Sequence, residues 1–361
     1  MRFFTILTAF LLFVQVLSAQ EYRYTDAQEL TIVGKLLQTK NPYHRIDVDK
    51  YPDMTSSEQG QCRHCSGMVV AFKTNSSFIG IDVKYAKIDS RRDRGMVGLD
   101  LYIRRDGQWI WAGNNVPSKS VTNEFISMTL LPASVSGWKD CLLYLPLQCE
   151  VKDIQIVTDQ YCKALALDNP FKGRIAVFGS SYTQGACAER PGLTYSAQLS
   201  RMTGYHFINM GFCGNSKLQP YFADALIAAE NIDAYVFDAF SNPTPAEVKE
   251  RLFPFIEKFR AAKPGVPLIF IKTLYREKRN FNPAYDAREQ AKMDMADSLM
   301  NIAVQKYPDV YWIETTNTVD GTHEWTADGS HPAGYGYHLM AKSLREPLEA
   351  IIAPVIMSGT K

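Results

Sequence analysis

A serine and an Asp-His pair, far apart in the sequence, are the residues whose types and spacing could carry out chemistry. Residues 174–185 read RIAVFGSSYTQG, an apolar run followed at once by Ser180 and Ser181. Asp328 and His331 stand three residues apart in the later segment DGSHP. A serine hydroxyl becomes a good nucleophile when an imidazole accepts its proton and a carboxylate fixes the tautomer of that imidazole. The residues therefore predict nucleophilic catalysis, provided that the fold brings them together.

Strands and helices alternate from residue 174 to the end of the chain, which is typical of a parallel sheet covered by helices on both faces. In such a sheet, ligands bind at the carboxyl ends of the strands. Ser181, the segment GFCGN, the segment SNP and the Asp-His pair all follow strands, so we expect them to meet at one edge. The strands are predicted at 174–178, 206–209, 234–240, 267–273 and 310–314, and the helices at 194–202, 220–229, 245–262, 285–305 and 333–352.

The same edge supplies hydrogen-bond donors for a tetrahedral intermediate. They are the backbone N–H of Ser181, the backbone N–H of Gly214 and the side-chain amide of Asn242. Such donors stabilise the negative charge that develops on the carbonyl oxygen during acyl transfer. A glycine at position 214 suits a close approach of the backbone to the substrate. The three donors are therefore predicted to form an oxyanion hole.

The blocks GSS, NMGFCGN, SNP and DGSHP resemble, in this order, the four blocks of the SGNH, or GDSL-type, hydrolases. The resemblance extends over residues 174–352 and implies a three-layer α/β/α, flavodoxin-like domain with a parallel sheet. It implies that Ser181 is the nucleophile, with His331 and Asp328 completing a catalytic triad. It further implies hydrolysis of carboxylic esters without a metal or an organic cofactor. Ser180 departs from the family pattern, which usually has Asp before the serine.

The segment before residue 168 has a different organisation. Short β-like runs separated by turn residues predict an antiparallel, jelly-roll-like β-sandwich, and Gly98-Leu99-Asp100-Leu101-Tyr102 resembles the GxDLY motif of a β domain that precedes some bacterial SGNH enzymes. Residues 20–60 are polar and predict an arm on the surface. The turn cluster at 168–170 predicts a boundary between a domain at 20–168 and a catalytic domain at 169–361. The runs lie at 68–74, 78–85, 97–103, 108–112, 125–130, 141–145 and 151–157.

The first 19 residues have the pattern of a secretory signal. Arg2 precedes an apolar stretch at 3–17, and Ser18 and Ala19 follow it. The stretch is short for a membrane span of about 20 residues, although a retained anchor helix is the alternative. Because no cysteine follows the stretch, a lipoprotein anchor is not expected. The pattern therefore predicts cleavage near Ala19 and a periplasmic or secreted protein.

Composition narrows the classes of partner. The 361 residues contain 39 Lys and Arg against 38 Asp and Glu, so no nucleic-acid partner is indicated. The seven cysteines are an odd number, and at least one lacks an intramolecular disulfide partner. Cys187 and Cys213 lie on loops of the predicted active edge and either pair or remain thiols. Residues 62–65, CRHC, resemble half a zinc site, but no second pair follows at the spacing of a zinc finger, so no metal site is expected.

The sequence favours a secreted serine esterase, most simply a carbohydrate O-acetylesterase. A lysophospholipase-like lipid acylhydrolase and a non-catalytic carbohydrate-binding protein are the alternatives, and the oligomeric state is open. Arg190 is a candidate for contact with an acidic substrate group, and Tyr182 and Trp325 are candidates for contact with a sugar or an acyl group. Ser180 and Ser181 could instead cap a helix, since serine is favoured at that position.

Overall fold

The computed structural model describes residues 21–87, 94–118, 124–315 and 321–358. The predicted secretory signal at 1–19 lies outside these residues. Within the described ranges, no helix combines the length and the apolar character that crossing a membrane would require.

In the described part of the first half of the chain, ten strands form two antiparallel sheets. The predicted runs match seven of these strands to within three residues at either end, because alternating apolar side chains face the space between the sheets. Asp106 and Gly107 have φ angles of 51° and 78°, and they form the tight hairpin turn that their residue types predict. The strands are β1 (Tyr22–Asp26), β2 (Thr31–Val33), β3 (Val69–Thr74), β4 (Ile79–Lys87), β5 (Leu99–Arg105), β6 (Gln108–Asn115), β7 (Ile126–Leu131), β8 (Lys139–Tyr144), β9 (Glu150–Asp159) and β10 (Ala164–Ala166).

The two sheets have the strand orders β1-β9-β4-β7 and β10-β3-β8-β5-β6, with β2 paired to β3. The described part of this segment, residues 21–60, therefore differs from the surface arm that polarity predicted for residues 20–60. β1 pairs with β9, β2 pairs with β3, and Tyr43 and Arg45 are buried. Isolated apolar residues without a period anchor this segment, and such a pattern is hard to recognise in a sequence.

The last five strands form one parallel sheet in the order β12-β11-β13-β14-β15. This is the flavodoxin-like order, in which the strand order reverses between β11 and β13 and leaves a crevice there. The predicted strand positions are confirmed. The strands are β11 (Lys172–Gly179), β12 (Tyr205–Gly211), β13 (Ala234–Asp238), β14 (Leu268–Ile271) and β15 (Val310–Ile313).

Helices cover both faces of the parallel sheet, as predicted. Along β11, Ala176 and Phe178 pack against α5, α6 and α7, whereas Ile175 and Val177 pack against α4 and α8. Alternate residues of a strand point to opposite faces, so β11 contributes to both hydrophobic cores. The helices are α1 (Ser56–Cys62), α2 (Arg94–Val97), α3 (Ser181–Gln184), α4 (Tyr195–Thr203), α5 (Pro220–Ile227), α6 (Pro245–Ala262), α7 (Pro283–Lys306) and α8 (Gly334–Ser358).

An ion pair between the buried Asp100 and the half-buried Arg190 connects the sandwich to the parallel-sheet half. Arg190, in the loop after α3, donates from Nη1 to Asp100 Oδ2 at 2.7 Å and to the Tyr102 hydroxyl at 2.5 Å. The N–H of Gly192 and the indole N–H of Trp111 also donate to the Asp100 carboxylate. Burial raises the pKa of Asp100, and Arg190 opposes that shift. Asp100 and Tyr102 of the GLDLY segment thus hold the loop that follows α3.

Replacing Arg190 by alanine should destabilise the protein, because Asp100 would remain fully buried without its cation. Removing one partner of a buried pair costs about 3 kcal/mol or more, so the free energy of unfolding in urea should fall by about that amount. The control is Arg345→Ala, which breaks the more exposed pair of Arg345 with Glu349 and should cost less than about 1 kcal/mol. Equal stability of Arg190→Ala and the control would contradict the role assigned to the pair.

Candidate active site

The fold brings Ser181, His331 and Asp328 into one chain of hydrogen bonds. Ser181 Oγ lies 2.9 Å from His331 Nε2, and His331 Nδ1 lies 2.9 Å from Asp328 Oδ2. Since a carboxylate only accepts, Nδ1 carries the proton that it donates to Asp328, which leaves Nε2 to accept from the Ser181 hydroxyl. This is the arrangement that a proton transfer from serine to imidazole requires.

The turn between Asp328 and His331 orients both side chains. Asp328 Oδ1 accepts hydrogen bonds from the backbone N–H of Ser330 at 2.9 Å and of His331 at 2.8 Å. Partial burial alone would raise the pKa of Asp328, but these bonds and the one from the His331 imidazole outweigh it and lower the pKa to about 2. Asp328 is therefore ionised at neutral pH, as an acceptor for Nδ1–H must be.

Ser180 caps the short helix that begins with Ser181. Its hydroxyl accepts from the backbone N–H of Tyr182 at 3.1 Å and donates to Asp238 Oδ2 at 2.6 Å. The capping alternative therefore applies to Ser180, while Ser181 faces His331. A Cβ at Gly179 would lie 2.2 Å from Thr183 Oγ1 and 2.6 Å from Asp238 Cβ, so the turn into α3 needs a glycine there.

Asp238 is a residue of the site that sequence reasoning missed. It ends β13, beside β11 at the reversal of strand order, and its buried Oδ2 also accepts from the Ser180 N–H at 3.0 Å and from Thr183 Oγ1 at 3.1 Å. Ser241 Oγ donates to the other oxygen at 3.3 Å. Burial raises the pKa of Asp238, and the hydrogen bonds from Ser180, Thr183 and Ser241 oppose this shift. The sequence does contain a signal for Asp238, which is a carboxylate at the end of an apolar strand.

Ser181, Gly214 and Asn242, which carry the three predicted oxyanion donors, line one cavity of about 460 Å³ together with His331. As the first residue of α3, Ser181 has no partner for its N–H within that helix. Gly214 has a φ of 73° in the left-handed region, which a glycine adopts without strain. Asn242 Nδ2 lies 3.1 Å from Ser216 Oγ, a contact that fixes the side-chain amide.

Residues from the N-terminal half hold the loop that carries Gly214. The buried Arg45 donates to the Gly211 carbonyl at 2.8 Å, and its guanidinium lies 4.6 Å from the centre of the Phe212 ring. Gln61 donates to the Cys213 carbonyl at 2.8 Å. Every described residue that lines the cavity lies at or after position 181, so the N-terminal half supports the cavity without forming its wall.

The three residues predicted to contact substrate lie outside the lining of the cavity. Arg190 is bound to Asp100 and Tyr102, as described above. Tyr182 is buried and donates to the Ser330 carbonyl at 2.7 Å. Trp325 is buried and donates to Glu277 Oε1 at 2.6 Å. The type of a residue near a motif does not show which way its side chain faces. In this structure all three side chains bind neighbouring loops.

Three side chains could offer ligands to a metal ion. The ligand atoms of Cys187, Asp328 and His331 all lie within 4.8 Å of one another, although the Asp328 and His331 side chains also bind each other. Burial raises the pKa values of Cys62 and Cys65 to about 12, so both are thiols at neutral pH. All seven cysteines lie in the described ranges, where no disulfide forms between them, Cys187 and Cys213 included.

Two family models match the chain. The model of the GDSL-like lipase/acylhydrolase family matches residues 172–349, and the model of the N-terminus of SGNH-hydrolase-type esterases, named GxDLY, matches residues 22–163. No curated protein matches the chain in sequence.

Solved structures share the whole architecture. A protein from Bacteroides ovatus assigned as a GDSL-like lipase is 33% identical, with a TM-score of 0.87 over 92% of this chain and 98% of its own. The salicylyl-acyltransferase SsfX3 from a tetracycline biosynthetic pathway is 19% identical, with a TM-score of 0.70 over 94% of this chain and 99% of its own. A family two carbohydrate esterase from Cellvibrio japonicus is 11% identical, with a TM-score of 0.60 over 92% of this chain and 98% of its own. The last two similarities concern the fold alone.

Removing the Asp238 carboxylate should destabilise the turn that presents Ser181. In Asp238→Ala, the buried N–H and hydroxyl of Ser180 lose their acceptor, which should lower the free energy of unfolding by about 2–3 kcal/mol. Asp238→Asn keeps one acceptor oxygen at the same place and should lose less. Urea unfolding of both variants measures the difference, and an Asp238→Ala protein as stable as the wild type would contradict the role of this carboxylate.

The contribution of Asp328 to stability should depend on pH. Its pKa in the folded protein, about 2, lies below the ordinary value of 3.8, so the folded state binds this proton more weakly than the unfolded state. Asp328 therefore stabilises fully above about pH 4 and progressively less as the pH falls towards 2. Because the carboxylate is partly exposed, Asp328→Asn should melt only about 2 °C below the wild type at pH 6. Roughly half of that difference in melting temperature should remain at pH 3. A difference that grows as the pH falls would contradict the stabilising role of the ionised Asp328.

Proposed function

The chain belongs to the family of GDSL-like lipases and acylhydrolases, and from this premise we propose that it is an exported esterase that removes short acyl groups from carbohydrates. The observation that carries the proposal is the hydrogen-bonded series Ser181–His331–Asp328, which opens onto a cavity lined also by Gly214 and Asn242. The ester hydrolase activity follows from the family. The acyl group, the alcohol and the role of each residue belong to the proposal.

In the first half of the reaction, Ser181 Oγ attacks the carbonyl carbon of the ester while His331 Nε2 accepts the hydroxyl proton. Asp328 stabilises the imidazolium that forms and keeps its Nδ1–H directed away from the serine. The N–H groups of Ser181 and Gly214 and the Asn242 amide donate to the oxyanion. As the tetrahedral intermediate collapses, the C–O bond to the alcohol breaks, and His331 returns its proton to the leaving alkoxide.

The second half reverses these roles. A water molecule takes the place of the alcohol, and His331 Nε2 accepts one of its protons as the oxygen attacks the acyl-enzyme. The second tetrahedral intermediate uses the same oxyanion donors. Its collapse breaks the bond to Ser181 Oγ, which regains a proton from His331, and the carboxylic acid leaves.

The chemistry of the cavity favours a short acyl group and a polar alcohol. Its described lining contains no Leu, Ile, Val, Met or Phe, and the residues around Ser181 and Gly214 include Ser241, Asn242 and Thr244. A long acyl chain would need apolar side chains to bury its methylene groups, at about 0.8 kcal/mol each. A sugar hydroxyl, in contrast, finds hydrogen-bonding partners there. The fold is also one that carbohydrate esterases use.

We infer export from the N-terminal sequence. Arg2, the apolar stretch at 3–17 and the small residues Ser18 and Ala19 have the order of a cleavable secretory signal. A periplasmic or secreted location would give the enzyme access to extracellular glycans. N-terminal sequencing of the exported protein, with a start near Gln20, tests this part of the proposal.

The central test is hydrolysis of 4-nitrophenyl esters of increasing acyl length, and of acetylated glycans, by the wild type and Ser181→Ala. The wild type should prefer acetyl esters, and Ser181→Ala should lose activity by about 10⁴-fold or more, because no other group replaces the nucleophile. Ser136→Ala is the control, since Ser136 is exposed on the sandwich and does not line the active cavity.

Three outcomes would contradict the proposal. Unchanged activity in a folded Ser181→Ala protein would remove the nucleophile from the mechanism. A preference for long acyl chains would identify a lipid acylhydrolase. Tight glycan binding without turnover of any ester would identify a binding protein.

A further inference from the structure

The cavity beside Ser181 has an excess of positive charge. Its described lining contains Arg276, Arg288 and Lys292, which we call the cationic cluster, and a single carboxylate, that of Glu289. Arg288, Glu289 and Lys292 come from α7, and Arg276 comes from the loop that follows β14. His331 also lines the cavity, so the cluster lies close to the candidate nucleophile.

Two of the cations share one oxygen of one carboxylate. Glu289 Oε2 accepts from Arg276 Nη1 at 2.9 Å and from Lys292 Nζ at 2.8 Å. The same two cations also donate to the Ser241 carbonyl, at 3.1 and 2.9 Å. The exposed fractions of the side chains are 14% for Arg276, 8% for Lys292 and 6% for Glu289. One positive charge is therefore left uncompensated in a largely desolvated place.

Arg288 adds a second positive charge at the mouth of the cavity. Its side chain is 67% exposed, and its Nε lies 3.8 Å from Glu289 Oε1, beyond hydrogen-bonding distance. Its guanidinium lies 4.8 Å from the centre of the Tyr285 ring, a stacking contact that holds the planar fork in place. The fork is thus pre-positioned to bind an anionic group that enters the cavity.

Lys292 carries its positive charge at a cost in this cluster, whereas Arg276 also donates to the hydroxyls of Tyr182 and Tyr285. Burial lowers the pKa of Lys292, and the neighbouring Arg276 lowers it further, while Glu289 opposes both. The other carboxylates nearby are already bound: Asp238 accepts from Ser180 and Thr183, and Asp328 from His331. Buried charges in proteins are normally paired, so a negative charge brought by a ligand would complete the set.

We propose that the ester substrate carries a carboxylate that binds the cationic cluster while the ester carbonyl lies at Ser181. This inference rests on the proposed function and names the class of substrate. A carboxylate would neutralise the one uncompensated charge of Arg276 and Lys292. Its two oxygens also fit the planar guanidinium of Arg288. The carboxylate belongs either to the acyl half, as in a hemiester of a dicarboxylic acid, or to the alcohol half, as in an acetylated uronic acid.

Matched pairs of esters test the inference and separate the two sources. For the acyl half, the pair is 4-nitrophenyl acetate and mono-4-nitrophenyl succinate. For the alcohol half, it is acetylated methyl glucoside and acetylated methyl glucuronoside. In one pair, kcat/KM for the anionic ester should exceed that for the neutral ester by about tenfold, mainly through a lower KM, and added salt should reduce the ratio by screening the charges.

Variants of Arg288 show whether the cluster causes the preference. This side chain is exposed, so its replacement should not prevent folding. Arg288→Gln should lower the anionic-to-neutral ratio of kcat/KM by about threefold, and Arg288→Glu by about tenfold, as expected for charges near the surface. Arg345→Gln, an exposed arginine on α8 outside the cavity lining, is the control and should leave the ratio unchanged.

The outcomes separate this inference from the proposed function. If neither pair shows a preference for the anionic ester, or if Arg288→Glu leaves the ratio unchanged, the inference is overturned. In that case, hydrolysis of neutral esters that depends on Ser181 still supports the proposed function. If folded Ser181→Ala hydrolyses both members of each pair as well as the wild type does, the proposed function itself is overturned.

Discussion

The geometry of the candidate site depends on the buried carboxylate of Asp238. It lies where the order of the parallel strands reverses and accepts the N–H and hydroxyl of Ser180 and the hydroxyl of Thr183. These donors are buried, so each would lose a full hydrogen bond without it. Together they set the point at which β11 becomes α3, and that point directs Ser181 towards His331. Ser241 joins the same carboxylate to the loop that carries Asn242.

A second constraint comes from the N-terminal half, which binds the loops that frame the site. Arg45 and Gln61 bind the backbone on either side of Phe212, and the next residues lead to Gly214. Asp100 and Tyr102 bind Arg190 in the loop after α3. The sandwich therefore fixes two of the loops that frame the cavity. Within the described ranges its residues do not line the cavity, whose walls come from the parallel-sheet half.

Periodic segments made the fold predictable, whereas contacts between distant segments did not. The strands and long helices have clear apolar periods, and the residues at the carboxyl ends of parallel strands must meet at one edge. That reasoning was sufficient to bring Ser181 and His331 together. Asp238 was missed because Ser180 and Thr183, which it binds, lie 58 and 55 residues away. Arg276 and Lys292 were missed because the sequence does not show that both bind Glu289. The burial of Trp325 was not predictable either, because its position in the chain does not reveal it.

The contact between Arg45 and Gly211 has a consequence for the order of folding. Its two residues are 166 positions apart and lie in different halves of the chain, a larger separation than that of the residues paired between β1 and β9 within the sandwich. Contacts of such high sequence separation form late, because closing a long loop costs entropy before the contact stabilises it. The loop that carries Gly214 thus reaches its final position only after both halves have acquired their own cores. During refolding, secondary structure should accordingly return before the site does.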